Sequence, residues 1–164
     1  MRILDEIKLE LFADYFQFFI QDENAEDNFD NDWTDEAVGR LLIVTDGLIG
    51  VGTVRNMNVP VIIKIFDSEP PMLADDQGVI GQINECDLNV FSGRIMISGC
   101  TDYLPDARRV DLDNGIYRAR IYYANLDTLS EDGLEGDDCY EIHLWKTDEE
   151  RGLQIIKSRN FLPN

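Results

Sequence analysis

Histidine is the commonest general base, and this 164-residue chain holds a single one, His143. It stands in the run Cys139 to Lys146, where Tyr140, Ile142 and Leu144 alternate with Glu141, His143 and Trp145. That setting suits a packing or surface residue better than a catalyst, and no Gly-x-Ser-x-Gly elbow offers it a nucleophile. Thiols come next. Cys86, Cys100 and Cys139 are odd in number, widely spaced and free of any Cys-x-x-Cys pair. Neither a zinc knuckle nor a thioredoxin-type centre is written there, and reduced thiols in the cytoplasm are expected. Carboxylates are the abundant resource, 33 in all. Two of them close together could perform acid–base work, but with so many acids a close pair arises by chance.

Two further patterns take forms that chemistry uses. The run Asp27 to Glu36 places oxygens at alternating positions, as a hard cation requires. Read from Asp30 it offers Asp30, Asp32 and Thr34, but it lacks the glycine of the sixth position and ends on Leu41 where an EF-hand has its bidentate Glu. A looser calcium loop is the form left open. Gly47-x-x-Gly50-x-Gly52 is rich in glycine, yet no Gly-Lys-Ser/Thr follows and its context is strand. Close packing or a bulge explains it better than a phosphate cradle. No cofactor motif is present and no cofactor is expected. Arg118 and Arg120 with Tyr122 form a small basic-aromatic group, for which cross-strand pairing with acids is the expected fate.

Charge narrows the classes of partner. Fourteen Lys and Arg against 33 Asp and Glu give a net of −19 and a pI near 4.1. Phosphate binding depends on Lys and Arg releasing counterions, so direct nucleic-acid binding and anionic membranes are disfavoured. The fitting partners are cationic: a basic protein surface or a metal ion. The alternative is acidity that serves solubility or the host's salt. No apolar run approaches the length of a bilayer span, and Met1 to Glu6 lacks the apolar region of a signal peptide, so a soluble, cytoplasmic protein is expected.

The elements that must position these residues read as strands. Lys8 to Ile20 suggests two short strands or one bent one. The acidic stretch Gln21 to Asp32 reads as a solvated loop. Thr34 is a good N-cap, with Asp35 and Glu36 in the first turn and Ala37, Val38, Leu41 and Leu42 as an apolar face; the spacing predicts a short helix over 34–41. Beyond the Asp46-Gly47 turn, Leu48 to Val54 and Val59 to Phe66 read as a hairpin. Pro70-Pro71 breaks the chain. Further strands are expected within Val79 to Val90, at Arg94 to Ser98, near Arg109 to Leu112, at Ile116 to Ala124, at Cys139 to Lys146 and at Leu153 to Ile156, with a second acidic loop at Asp127 to Asp138. Short strands between Gly-, Pro- and Asp-rich turns predict a mainly β chain. The expected fold is one antiparallel β-sandwich or barrel domain spanning 1–164.

Parts of the chain resemble a known family. Asp32-Trp33-Thr34-Asp35-Glu36-Ala37-Val38, Asp46-Gly47-Leu48-Ile49, Arg55-Asn56 and Val61 to Phe66 look like the competence protein J family. Its known member is a small acidic inhibitor of a DNA-entry nuclease. The stretch covers about a fifth of the chain, with Trp33 to Ala37 its most specific part. Gly115-Ile116-Tyr117-Arg118-Ala119-Arg120 and Tyr140 to Trp145 resemble a pattern of bacterial proteins of unknown role. The long acidic loops depart from the family, and Pro70 to Asp106 is not a region the resemblance matches. The resemblance implies the family's fold and, more distantly, an acidic module that inhibits a basic nuclease by mimicking the charge of nucleic acid. The residues expected to meet the partner are Asp30, Asp32, Asp35 and Glu36, with Trp33 as an aromatic anchor or, alternatively, an ordinary packing residue. The competing expectation is a β-sandwich that binds a metal or small ligand through its acidic loops. An enzyme built on paired carboxylates comes last.

Overall fold

The computed structural model describes residues 1–26 and 33–159. Among the described residues eleven strands form two sheets. The larger, in spatial order, comprises β1 (Ile3–Phe12), β5 (Asn58–Phe66), β10 (Cys139–Thr147), β9 (Gly115–Ala124), β6 (Ile80–Val90) and β11 (Gln154–Lys157). The smaller comprises β3 (Leu42–Thr45), β4 (Leu48–Gly52), β2 (Gln17–Asp22), β7 (Arg94–Gly99) and β8 (Arg108–Asp111). An α-helix, α1 (Asp35–Arg40), precedes β3. The arrangement is a β-sandwich with no closed barrel, and every pairing is antiparallel except that of β5 with β10. Among the described residues no helix is long and apolar enough to cross a membrane.

Period-two alternation builds the core between the sheets. Phe18 and Ile20, Ile49 and Val51, and Ile95 and Ile97 come from the small sheet. Val61 and Ile63, Ala119 and Ile121, and Ile142 and Leu144 come from the large one. The run Leu48 to Phe66 departs from the expected hairpin, because β4 and β5 lie in different sheets. An apolar run names no partner by itself; here Thr53 to Met57 carries the chain across the sandwich edge. Val54 N donates to Tyr140 Oη at 3.0 Å, and Arg55 Nε pairs with the buried Asp138 carboxylate at 2.8 Å. Lys8 to Ile20 likewise divides between the sheets, as β1 and β2.

The central part of the outer face of the large sheet, on β6, β9 and β10, is buried too. Arg118 donates to Glu85 at 3.1 Å and to Asp87 at 2.9 Å, and Arg120 donates to the other Glu85 oxygen at 2.9 Å with its guanidinium 4.9 Å from the Trp145 ring centroid. These are the cross-strand pairs expected of the two arginines. The link between β5 and β6 crosses over them: Arg120 donates to Pro70 O at 3.0 Å, and Leu73 N donates to Tyr122 Oη at 3.1 Å.

Candidate partner-binding groove

The segment from β1 to β2 must switch sheets within four residues, Ala13 to Phe16. It does so in a 3₁₀ turn in which Tyr15 and Phe16 take φ of 57° and 61°. Left-handed backbone at a non-glycine residue costs roughly 1–3 kcal/mol. The reward is display: Tyr15 is 70% exposed and Phe16 52%. Facing this turn, α1 starts as its residues dictate. Thr34 Oγ1 accepts from Ala37 N at 3.2 Å, and Asp35 and Glu36 occupy the first turn, where carboxylates suit the helix dipole. Leu41 closes the helix in the left-handed region and lets Gly52 come close; a Cβ on Gly52 would lie 2.9 Å from the Leu41 Cα. Close packing is therefore the role of that glycine.

Between the turn, the helix and the end of β4 lies a groove of about 510 Å³. Tyr15, Phe16, Trp33, Val38, Leu41 and Val54 supply its apolar walls. Trp33 takes the packing role and also borders the groove. It packs, half-buried, against Ala37, Ile43 and Leu48, donates from Nε1 to Gln17 Oε1 at 2.8 Å, and still contributes a wall of the groove. Asp35 and Glu36 are exposed on the helix beside it. Asp30 and Asp32 lie outside the described residues, as does most of the Asp27 to Glu36 run read as a calcium loop. The loop after β7 joins the same end through Thr101 Oγ1, which donates to Asp14 Oδ2 at 3.1 Å, and it brings exposed Tyr103 and Leu104. An apolar surface edged by Asp14, Asp35 and Glu36 has the composition of a protein interface: aromatic centre, charged rim.

The other candidates for chemistry are placed elsewhere. His143 is buried between the rings of Phe66 and Tyr122, each 5.0 Å away, with Nε2 2.6 Å from Glu141 Oε2. This hydrogen bond, with Lys64 nearby, outweighs burial and holds the Glu141 carboxyl below its usual range. The three cysteines are free; burial pushes the Cys86 thiol up to about 12 and raises those of Cys100 and Cys139. Among the described residues, no group of three or more His, Cys, Asp or Glu is arranged to hold a metal.

Two solved structures share this architecture along nearly their whole length. ComJ from Bacillus subtilis, an inhibitor of the DNA degrading activity of NucA, aligns with a TM-score of 0.64 at 19% identity, over 89% of this chain and 98% of ComJ. The fold is ComJ-like. A protein from crocagin biosynthesis, gene J, aligns with a TM-score of 0.54 at 19% identity, over 87% of this chain and 96% of its own. No protein-family model and no curated protein sequence matches the chain. At such identity the likeness speaks for the fold alone. Tyr15, Phe16, Val38, Tyr103 and Leu104 were not singled out by sequence reasoning. Their apolar types were visible, but the backbone that turns them outward was not.

Proposed function

We propose that this chain is a protein-binding module that inhibits a basic enzyme, in the manner of a nuclease inhibitor, without binding nucleic acid itself. One observation carries the reading: strained, exposed aromatic residues line a groove whose flanking segments bear Asp14, Asp35 and Glu36, on a chain of net charge −19. A nuclease's DNA groove is lined with Lys and Arg. An acidic rim would steer association with it, and the aromatic centre would supply residence time. The ComJ-like fold supports the same reading, since ComJ inhibits the DNA degrading activity of NucA. Trp33, Asp35 and Glu36, together with Tyr15 and Phe16, are the residues proposed to touch the partner; Asp30 and Asp32 extend the acidic run and are proposed with them.

The test is DNA degradation by basic nucleases of the source organism, assayed with and without the chain. Inhibition is expected at about 50 mM salt and should weaken strongly at about 300 mM, because exposed charges are screened within a Debye length of about 8–10 Å or less. Phe16→Lys and Val38→Lys should abolish inhibition while leaving the melting temperature close to wild type. If none of those nucleases slows at equimolar chain and low salt, the proposal is wrong.

A further inference from the structure

What part of a partner enters the groove is suggested by the chain's own contents. Arg151 to Arg159, reading Arg-Gly-Leu-Gln-Ile-Ile-Lys-Ser-Arg, carries three cations and no carboxylate in a protein otherwise dominated by acids. It is also extended and apolar: β11 lies at the open edge of the large sheet, with Leu153, Ile155 and Ile156 exposed by 38%, 50% and 44%. Its attachment is short, four residues with a register break between Ile155 and Lys157, tied further by Lys157 Nζ donating to Ile80 O at 2.7 Å. A basic, extended, apolar segment is the complement of an aromatic groove whose flanking segments bear Asp14, Asp35 and Glu36. At its end Arg159 enters that groove. Its side chain lines the cavity alongside Tyr15, Trp33 and Val38, Nη2 donates to Gly39 O at the close of α1 at 3.3 Å, and its backbone N donates to Gln82 Oε1 at 2.8 Å.

We propose that the groove receives a cationic side chain borne on an extended apolar segment of the partner, and that Arg159 holds that place in the free protein, so that the partner must displace it. The inference rests on the groove being the partner-binding surface. A guanidinium suits the site because it is planar, weakly hydrated and stacks on aromatic faces, while its donors reach carbonyls such as that of Gly39. An internal occupant lowers apparent affinity in proportion to the fraction of molecules whose groove is open. Arg159 thus sets a threshold that a weakly cationic protein does not cross.

The experiment is calorimetric titration with a synthetic peptide alternating Arg and Leu, beside a counterpart with Gln in place of Arg. Arg159→Gln should bind the Arg peptide about fivefold or more tightly than wild type. Arg159→Lys, which keeps the charge but not the planar fork, should fall between wild type and Arg159→Gln. Arg151→Gln makes the same change in net charge away from the groove and should also stay near wild type. The Gln peptide should bind none of them, and Val38→Lys, which sets a like charge in the groove wall, should lose the Arg peptide. Unchanged or weaker binding by Arg159→Gln, or equal tightening by Arg151→Gln, overturns the displacement while leaving the groove reading intact. Undiminished binding by Val38→Lys overturns the groove reading itself.

Discussion

At the scale of single residues, some of the acidity serves the fold and not a partner. Asp22 belongs to one acidic loop and Asp138 closes the other, and both are fully buried. Asp22 accepts from the backbone N–H groups of Asn24, Phe91 and Ser92 at 2.9, 2.8 and 3.0 Å. Burial pushes its carboxyl up, the three N–H groups outweigh that, and its pKa falls below the ordinary 3.8. A depressed carboxylate contributes stability that is fully present above its unfolded pKa and lost as the pH falls through the folded one. Asp22→Ala should therefore cost about 3 kcal/mol at neutral pH, since it strands buried donors. In melts at successively lower pH, the gap to wild type should hold until near 3.8 and narrow below it; a gap independent of pH down to full protonation would contradict the assignment. Tyr15 argues in the opposite direction. Tyr15→Gly should raise stability by about 1 kcal/mol by relieving the left-handed backbone, measured by denaturant titration, and should weaken partner binding.

At the scale of elements, most strands and the helix were legible because each carries its own period and its own punctuation. Ile116 to Ala124 alternates cleanly, Asp113-Asn114-Gly115 precedes it, and Thr34 announces α1 through its cap. Which strand pairs with which was not legible. Leu48 to Val54 and Val59 to Phe66 are apolar in the way two hairpin arms are, and the contacts that separate them, Tyr140 with Val54 and Asp138 with Arg55, come from more than 80 residues away. The groove was half legible. Trp33, Asp35 and Glu36 stand out by type and spacing, whereas Tyr15 and Phe16 looked like strand, because a positive φ leaves no mark on composition. Gly52 tests the packing that closes the groove's floor. Gly52→Ala should destabilise by about 1–3 kcal/mol, through overpacking against the Leu41 backbone, seen as a lower denaturation midpoint with unchanged slope.

At the scale of the whole molecule, a net charge of −19 opposes compaction, since like charges are drawn together on folding. Added salt screens this repulsion at the surface, while the Arg118–Glu85–Arg120 pairs, buried beneath the β5–β6 link, feel it little. The melting temperature should therefore rise between low salt and about 0.5 M. A fall would mean that attractive surface pairs dominate. The same low-salt condition that weakens the fold strengthens the proposed association, so partner and salt act on stability through one set of charges.

The lone parallel pairing, β5 beside β10, has a temporal consequence. β1 is bonded only to β5, and β5 reaches the remainder of its sheet only through β10, whose first residue is Cys139. During synthesis the β1–β5 pair thus waits, with one flank of β5 unsatisfied, until the chain has grown past Thr147. Docking so distant in sequence is intrinsically slow. Nascent chains halted before that point will offer an open strand to chaperones.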